Sequence, residues 1–138
     1  MMIDTTGKTI EEVVEEMFKA LCEQGEPCMD NNVCSYGNDD GQHCAVGFLL
    51  DDKVDDGIMQ SRDSIRDLSR HYSLGANHDF IMANESILLE CQCIHDADNE
   101  ISITSYKEHL AIKLGGITPQ YVDQWVAMRC ALWSEDQC

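Results

Sequence analysis

Basic residues are what this 138-residue chain most lacks: 9 Lys and Arg stand against 26 Asp and Glu, a formal charge of −17 at pH 7. Contact with nucleic-acid phosphates or anionic lipid depends on Lys and Arg to release counterions, so the balance argues against direct nucleic-acid binding and against a membrane surface. No apolar run approaches the roughly 20 residues that span a bilayer, and the opening MMIDTTGKTIEE lacks the basic-then-apolar order of a signal peptide. A cytoplasmic protein is expected. The alternation that marks a strand is scarce, with Glu100–Thr104 (EISIT) the one weak instance. There is no C-x2-C pair, no glycine-rich phosphate loop, no nucleophile elbow, no internal repeat and no low-complexity tract.

What is present reads as helix. The length suits a single domain over residues 1–138, burying about two thirds of its unfolded surface around one core. Thr9 and Glu12 form a capping box ahead of Ile10, Val13, Val14, Met17 and Leu21 at helical spacing. Residues 23–42 are rich in Gly, Asn, Asp and Pro and predict a long irregular loop. His43–Leu50 is apolar on nearly all sides and predicts a short buried helix, with the charged stretch DDKVDDG after it. Further helices are expected over 61–72, from 77 or 78 to 93, and over 105–114, the last stopped by Gly115 and Gly116. A final helix starts at Thr118 and Pro119. The expected architecture is a compact all-α bundle of about five or six helices with a long irregular loop after the first.

Three chemistries can be sought in GQHCAVGFLLDD (41–52) and its surroundings. A cysteine enzyme would use Cys44 with His95 and Asp96, because a thiolate needs a helix N-terminus or a cationic neighbour and a carboxylate can orient an imidazole. Neighbouring helix positions diverge by about 100°, so His43 cannot serve Cys44, and small residues at 44, 45 and 47 equally suit close helix packing. His95–Asp96 equally suits a helix C-terminus, where His meets the last carbonyls. A zinc site would draw on Cys28, Cys34 and His43, although their spacing is looser than zinc motifs require. No cofactor is expected. Cys22, Cys44, Cys91 and Cys130 lie among apolar residues and read as core, whereas Cys28, Cys34 and Cys138 read as exposed.

The third chemistry is charge itself. Glu11, Glu12, Glu15 and Glu16 fall on the outer part of the first helix, and Asp51, Asp52, Asp55 and Asp56 follow the buried segment. Residues 1–69 hold 16 acidic and 5 basic side chains (−11), and residues 70–138 hold 10 and 4 (−6). A basic partner would dock on the first half. Trp125, Met128, Leu132 and Trp133 on the last helix suit either core closure or a homodimer.

Cys44-Ala45-Val46-Gly47-Phe48-Leu49-Leu50-Asp51 and Gln92-Cys93-Ile94-His95-Asp96 resemble the "CAVGCLI"-type and "QxxHD" segments of a family of small tailed-phage and prophage proteins. Phe48 stands where that family more often carries a second cysteine. The resemblance implies a viral origin and a role in host takeover or anti-defence. The functional expectation is an acidic inhibitor that binds a host or defence protein with a basic surface, by imitating nucleic-acid charge. The alternatives are a small cysteine/histidine enzyme and a sponge for a small signalling molecule.

Overall fold

The computed structural model describes residues 2–30, 33–38, 40–51, 54, 56–59, 61 and 63–136. Helix α1 (Ile10–Gln24) has the predicted capping box: the Thr9 hydroxyl accepts the Glu12 N–H, and the Glu12 carboxylate accepts the Thr9 N–H. It ends at Gly25, whose φ of 84° is the left-handed conformation that glycine adopts without a side-chain clash. Its buried stripe is Val13, Val14, Met17, Phe18 and Leu21.

The segment after α1 is the irregular part. Two short strands, β1 (Met29–Asp30) and β2 (Val33–Cys34), pair antiparallel with Met29 opposite Cys34. Gly37 then bridges His43. The helix expected over His43–Leu50 is one 3-10 turn, Val46–Leu49. Its carbonyls explain this. Phe48 C=O accepts the Ile3 N–H at 2.8 Å, and Leu49 C=O accepts Asn77 Nδ2 at 2.9 Å. Groups that would continue a helical ladder are taken by distant parts of the chain. A single turn, α2 (Asp56–Met59), lies against the bridge, with Met59 C=O accepting the N–H groups of both Tyr36 and Gly37 at 3.0 Å.

The rest is helical: α3 (Ile65–His71), α4 (His78–Ala83), α5 (Glu85–Asp96), α6 (Glu100–Lys113) and α7 (Gln120–Asp136). The described residues thus form seven α-helices and a 3-10 turn, against the five or six expected, and the fold is all-α. The added count has local causes. The single helix expected from 77 to 93 is broken at Asn84, whose side chain donates to Phe80 C=O at 2.9 Å and ends α4. Glu100–Thr104 is the first part of α6 rather than a strand, because Asn99 accepts the Ser102 N–H at 2.8 Å and caps it. Gly115 and Gly116 stop α6 with φ of 84° and 96°, as their sequence suggests. Helix α1 packs on α7, and α6 packs on both α5 and α7. One core cluster joins the α1 stripe, the 3-10 turn, Leu88, Cys91 and Ile94 of α5, Ile103 and Leu110 of α6, and Val122 and Trp125 of α7.

Candidate functional site

The two sequence motifs converge on the segment that follows α1. Gln92 and His95 are three apart on α5, which places both on one face of the helix. Gln92 Nε2 donates to the Tyr36 hydroxyl at 2.6 Å, and that hydroxyl donates to Asp63 C=O at 2.6 Å. Gln92 Oε1 accepts the Ile65 N–H at 3.3 Å, so one amide fastens both the loop and the start of α3.

His95 is buried, and both of its nitrogens are occupied. Nε2 accepts the Cys28 N–H at 3.0 Å, which makes it the unprotonated nitrogen; Nδ1 donates to Asp96 Oδ1 at 2.7 Å. The ring stacks on Trp125 of α7, with 6.3 Å between centroids and 5° between planes. The other motif supplies the opposite side. Cys44 N–H donates to Tyr36 C=O at 3.2 Å, and Gly47 has no Cβ because that atom would lie 2.0 Å from the same carbonyl oxygen. Gln24 grips His43 from α1, donating to its C=O at 3.0 Å and accepting its N–H at 2.9 Å. Asn77 ties in the N-terminal strand of chain, donating to Ile3 C=O and Leu49 C=O and accepting the Thr5 hydroxyl.

These facts bear on each candidate chemistry. Cys44 is fully buried, its sulfur accepts the Gly47 N–H at 3.2 Å, and burial, helped by the nearby Asp96 carboxylate, pushes its thiol well above the ordinary value. That is the reverse of what a nucleophile requires. His95 spends its lone pair on a backbone N–H and so holds none for a thiol. Asp96 orients the ring, with its own side chain about half exposed. Cys28, expected at the surface, is buried, with its thiol 3.3 Å from Gln42 C=O and 3.5 Å from the Ser35 hydroxyl. The loop folds inward around it because His95 binds its N–H. The side chains of Cys34 and Cys138 lie outside the described residues. Among the described residues no three His, Cys, Asp or Glu side chains gather as a metal site, so no metal ligand is assigned. Cys91 is buried, and Cys22 and Cys130 are half-buried.

The acidic candidates divide. Glu11 and Glu12 are exposed. Glu15 is half-buried and accepts the Tyr121 N–H at 3.2 Å, next to the start of α7, where backbone N–H groups favour an anion. Glu16 pairs with Lys8 at 3.0 Å. Asp51 is half-buried, with its Cβ 2.5 Å from where a Cβ on Gly75 would stand. Asp52, Asp55 and the Asp56 side chain lie outside the described residues. On α7, Trp125 belongs to the core and is unavailable to a second copy; Met128 and Trp133 are half-buried and Leu132 is exposed. Arg129 lies 6.0 Å and 5.1 Å from the ring centres of Trp125 and Trp133. No helix among the described residues is long and apolar enough to cross a membrane.

Sequence reasoning missed Gln24, Tyr36, Asn77 and Gln92 as organising residues. The signal available for Gln92 was its spacing from His95. A scan against protein-family models matches none, and searches of curated proteins and of solved structures find no match.

Proposed function

We propose that the protein acts by binding a basic protein through its acidic surface, without covalent chemistry of its own, and that it thereby inhibits a host or defence protein. The observation that carries this reading is the distribution of charge. Lys8, Arg66, Arg70, Lys107 and Lys113 each lie within 4 Å of a carboxylate of this same chain, so these cations are internally engaged. Of the other carboxylates, Glu11, Glu23, Asp40, Asp63, Asp67 and Asp98 are exposed, and the chain's 26 acidic side chains far outnumber its 9 basic ones. Such a surface attracts a groove built to hold phosphates, and it repels nucleic acid itself. The phage-family resemblance of the two motifs supplies the class of partner. The enzyme reading is disfavoured by the structural work that Cys44, His95 and Asp96 already do.

The test is to use the protein as bait in a bacterial lysate at low and at moderate salt, beside a Glu11→Lys/Glu23→Lys/Asp40→Lys variant. These three positions are exposed and make no ion pair among the described residues. Stoichiometric retention of one basic protein, weakened by salt and by the variant by about tenfold, is the expected result. Retention of nothing, or equal retention by both forms at both salts, overturns it.

A further inference from the structure

We infer that His95 is a proton-operated latch: uptake of a proton at its Nε2 releases the backbone at Cys28 from α5. The inference does not depend on which partner the acidic surface takes.

The geometry makes the two states exclusive. With the ring neutral, Nε2 offers a lone pair to the Cys28 N–H at 3.0 Å. With the ring protonated, both nitrogens are donors, and two N–H groups would face each other across that distance. A buried N–H deprived of its acceptor is costly, so the segment must move away or the proton must stay off. The other side of the ring favours the proton. Asp96 Oδ1 holds Nδ1 at 2.7 Å, and its half-exposed carboxylate borders a cleft of about 240 Å³, lined also by Cys93, Asp98, Ser102 and Tyr106, that gives solvent a route to the pair. The ring therefore holds a stabilised position for the imidazolium on one side and an obstacle to it on the other. Moving the loop removes the obstacle.

Among the described residues the ionisable groups around the ring are few. On α5 there is Asp96; on the loop there are the Cys28 and Cys44 thiols and the Tyr36 hydroxyl; on α7 the Arg129 guanidinium lies over Trp125, the ring on which His95 stacks. Burial keeps the Cys44 thiol and the Tyr36 hydroxyl protonated and neutral throughout the range in which imidazole titrates. His95 is thus the group of this cluster whose protonation would cost the segment a hydrogen bond. The bonds to this part of the chain through Gln24, Gln92 and the Tyr36 backbone carry no titrating donor or acceptor in that range. Release is local to Cys28.

A solvent-accessible imidazole of the usual kind goes from about one-tenth to about ten-elevenths protonated between pH 7.5 and 5.5, and an opening coupled to that uptake is favoured about tenfold or more. Amide hydrogen exchange on the full chain reads this directly. Corrected for the intrinsic rate, protection of the Cys28 N–H is expected to fall about tenfold over that range, while that of Leu110 in the α6 core stays constant. In His95→Gln, whose amide oxygen can take the same N–H without titrating, the fall disappears. Constant protection in the wild type, or an equal fall in His95→Gln, overturns the inference. Where the variant does not fold, the wild type decides: the His95 ring 15N signals and Cys28 opening share one midpoint if the latch exists, and separate midpoints refute it.

Discussion

Substituting Gly47 by Ala tests the packing of the first motif against the loop. Gly47 has no positive φ to protect, so by backbone preference alone Ala would be neutral or stabilising by a few tenths of a kcal/mol or more. The structure predicts the opposite. An added Cβ lies 2.0 Å from the Tyr36 carbonyl oxygen and 2.9 Å from its carbon, both backbone atoms, so relief to 3.0 Å needs a displacement of about 1 Å. That carbonyl accepts the Cys44 N–H, and the Tyr36 N–H is held by Met59, so the shift strains two hydrogen bonds worth about 1 kcal/mol each as well as the local packing. Overpacking of this kind costs about 1–3 kcal/mol, and the sum is about 3–5 kcal/mol. For a chain of this size that corresponds to a fall in Tm of about 10–20 °C, measured by far-UV circular dichroism. Gly25→Ala is the control: φ is 84° and nothing lies within 4 Å of the added atom, so only the left-handed penalty of about 1–2 kcal/mol applies. A Gly47→Ala protein that melts within about 2 °C of the wild type, or no lower than Gly25→Ala, would refute the packing argument.

Three further outcomes are expected. Tyr36→Phe removes the acceptor of Gln92 and the donor to Asp63 C=O and should cost about 1.5–3 kcal/mol in urea unfolding, and adding Gln92→Leu should cost less than the separate losses combined because the two share a bond. Stability should fall as pH rises above 9: Cys44 and Cys91 have thiols raised by burial above the ordinary 9.0, so the unfolded chain releases those protons first, and stability fully present below 9 is lost at about 1 kcal/mol per thiol by pH 10. A Cys44→Ala/Cys91→Ala variant should show a shallower decline between pH 8 and 10 than the wild type, and equal slopes would contradict the assignment. The same two thiols should resist alkylation in the native state at pH 8 and react once urea unfolds the chain.

Helix α1 was legible because everything that defines it is local: a capping box, an apolar stripe and a glycine at the exit. The same holds for the end of α6 at Gly115 and Gly116. The buried segment at 43–50 was misread as a helix because its carbonyls are claimed by Ile3 and Asn77, which no local pattern reveals. The alternation in EISIT favoured a strand, and Asn99 reversed it with one capping bond. The motif residues stood out in the sequence, but their partners lie 56 residues away for Gln92 and 67 for His95, so their structural role was hidden. The row of glutamates on α1 looked uniform from spacing alone. Three of the four are engaged, Glu12 by the Thr9 N–H of its own capping box, Glu15 by a backbone N–H 106 residues distant and Glu16 by Lys8.

The proposed inhibitor activity rests on surface charge and not on Cys44. The most direct measurement is the affinity of the partner captured at low salt, by titration calorimetry, for the wild type, for Cys44→Ala shown to be folded by circular dichroism, and for the Glu11→Lys/Glu23→Lys/Asp40→Lys variant. Cys44→Ala is expected to bind within about twofold of the wild type, while the charge reversals weaken binding by about tenfold or more. A folded Cys44→Ala that no longer binds, beside charge reversals that leave affinity unchanged, would contradict it.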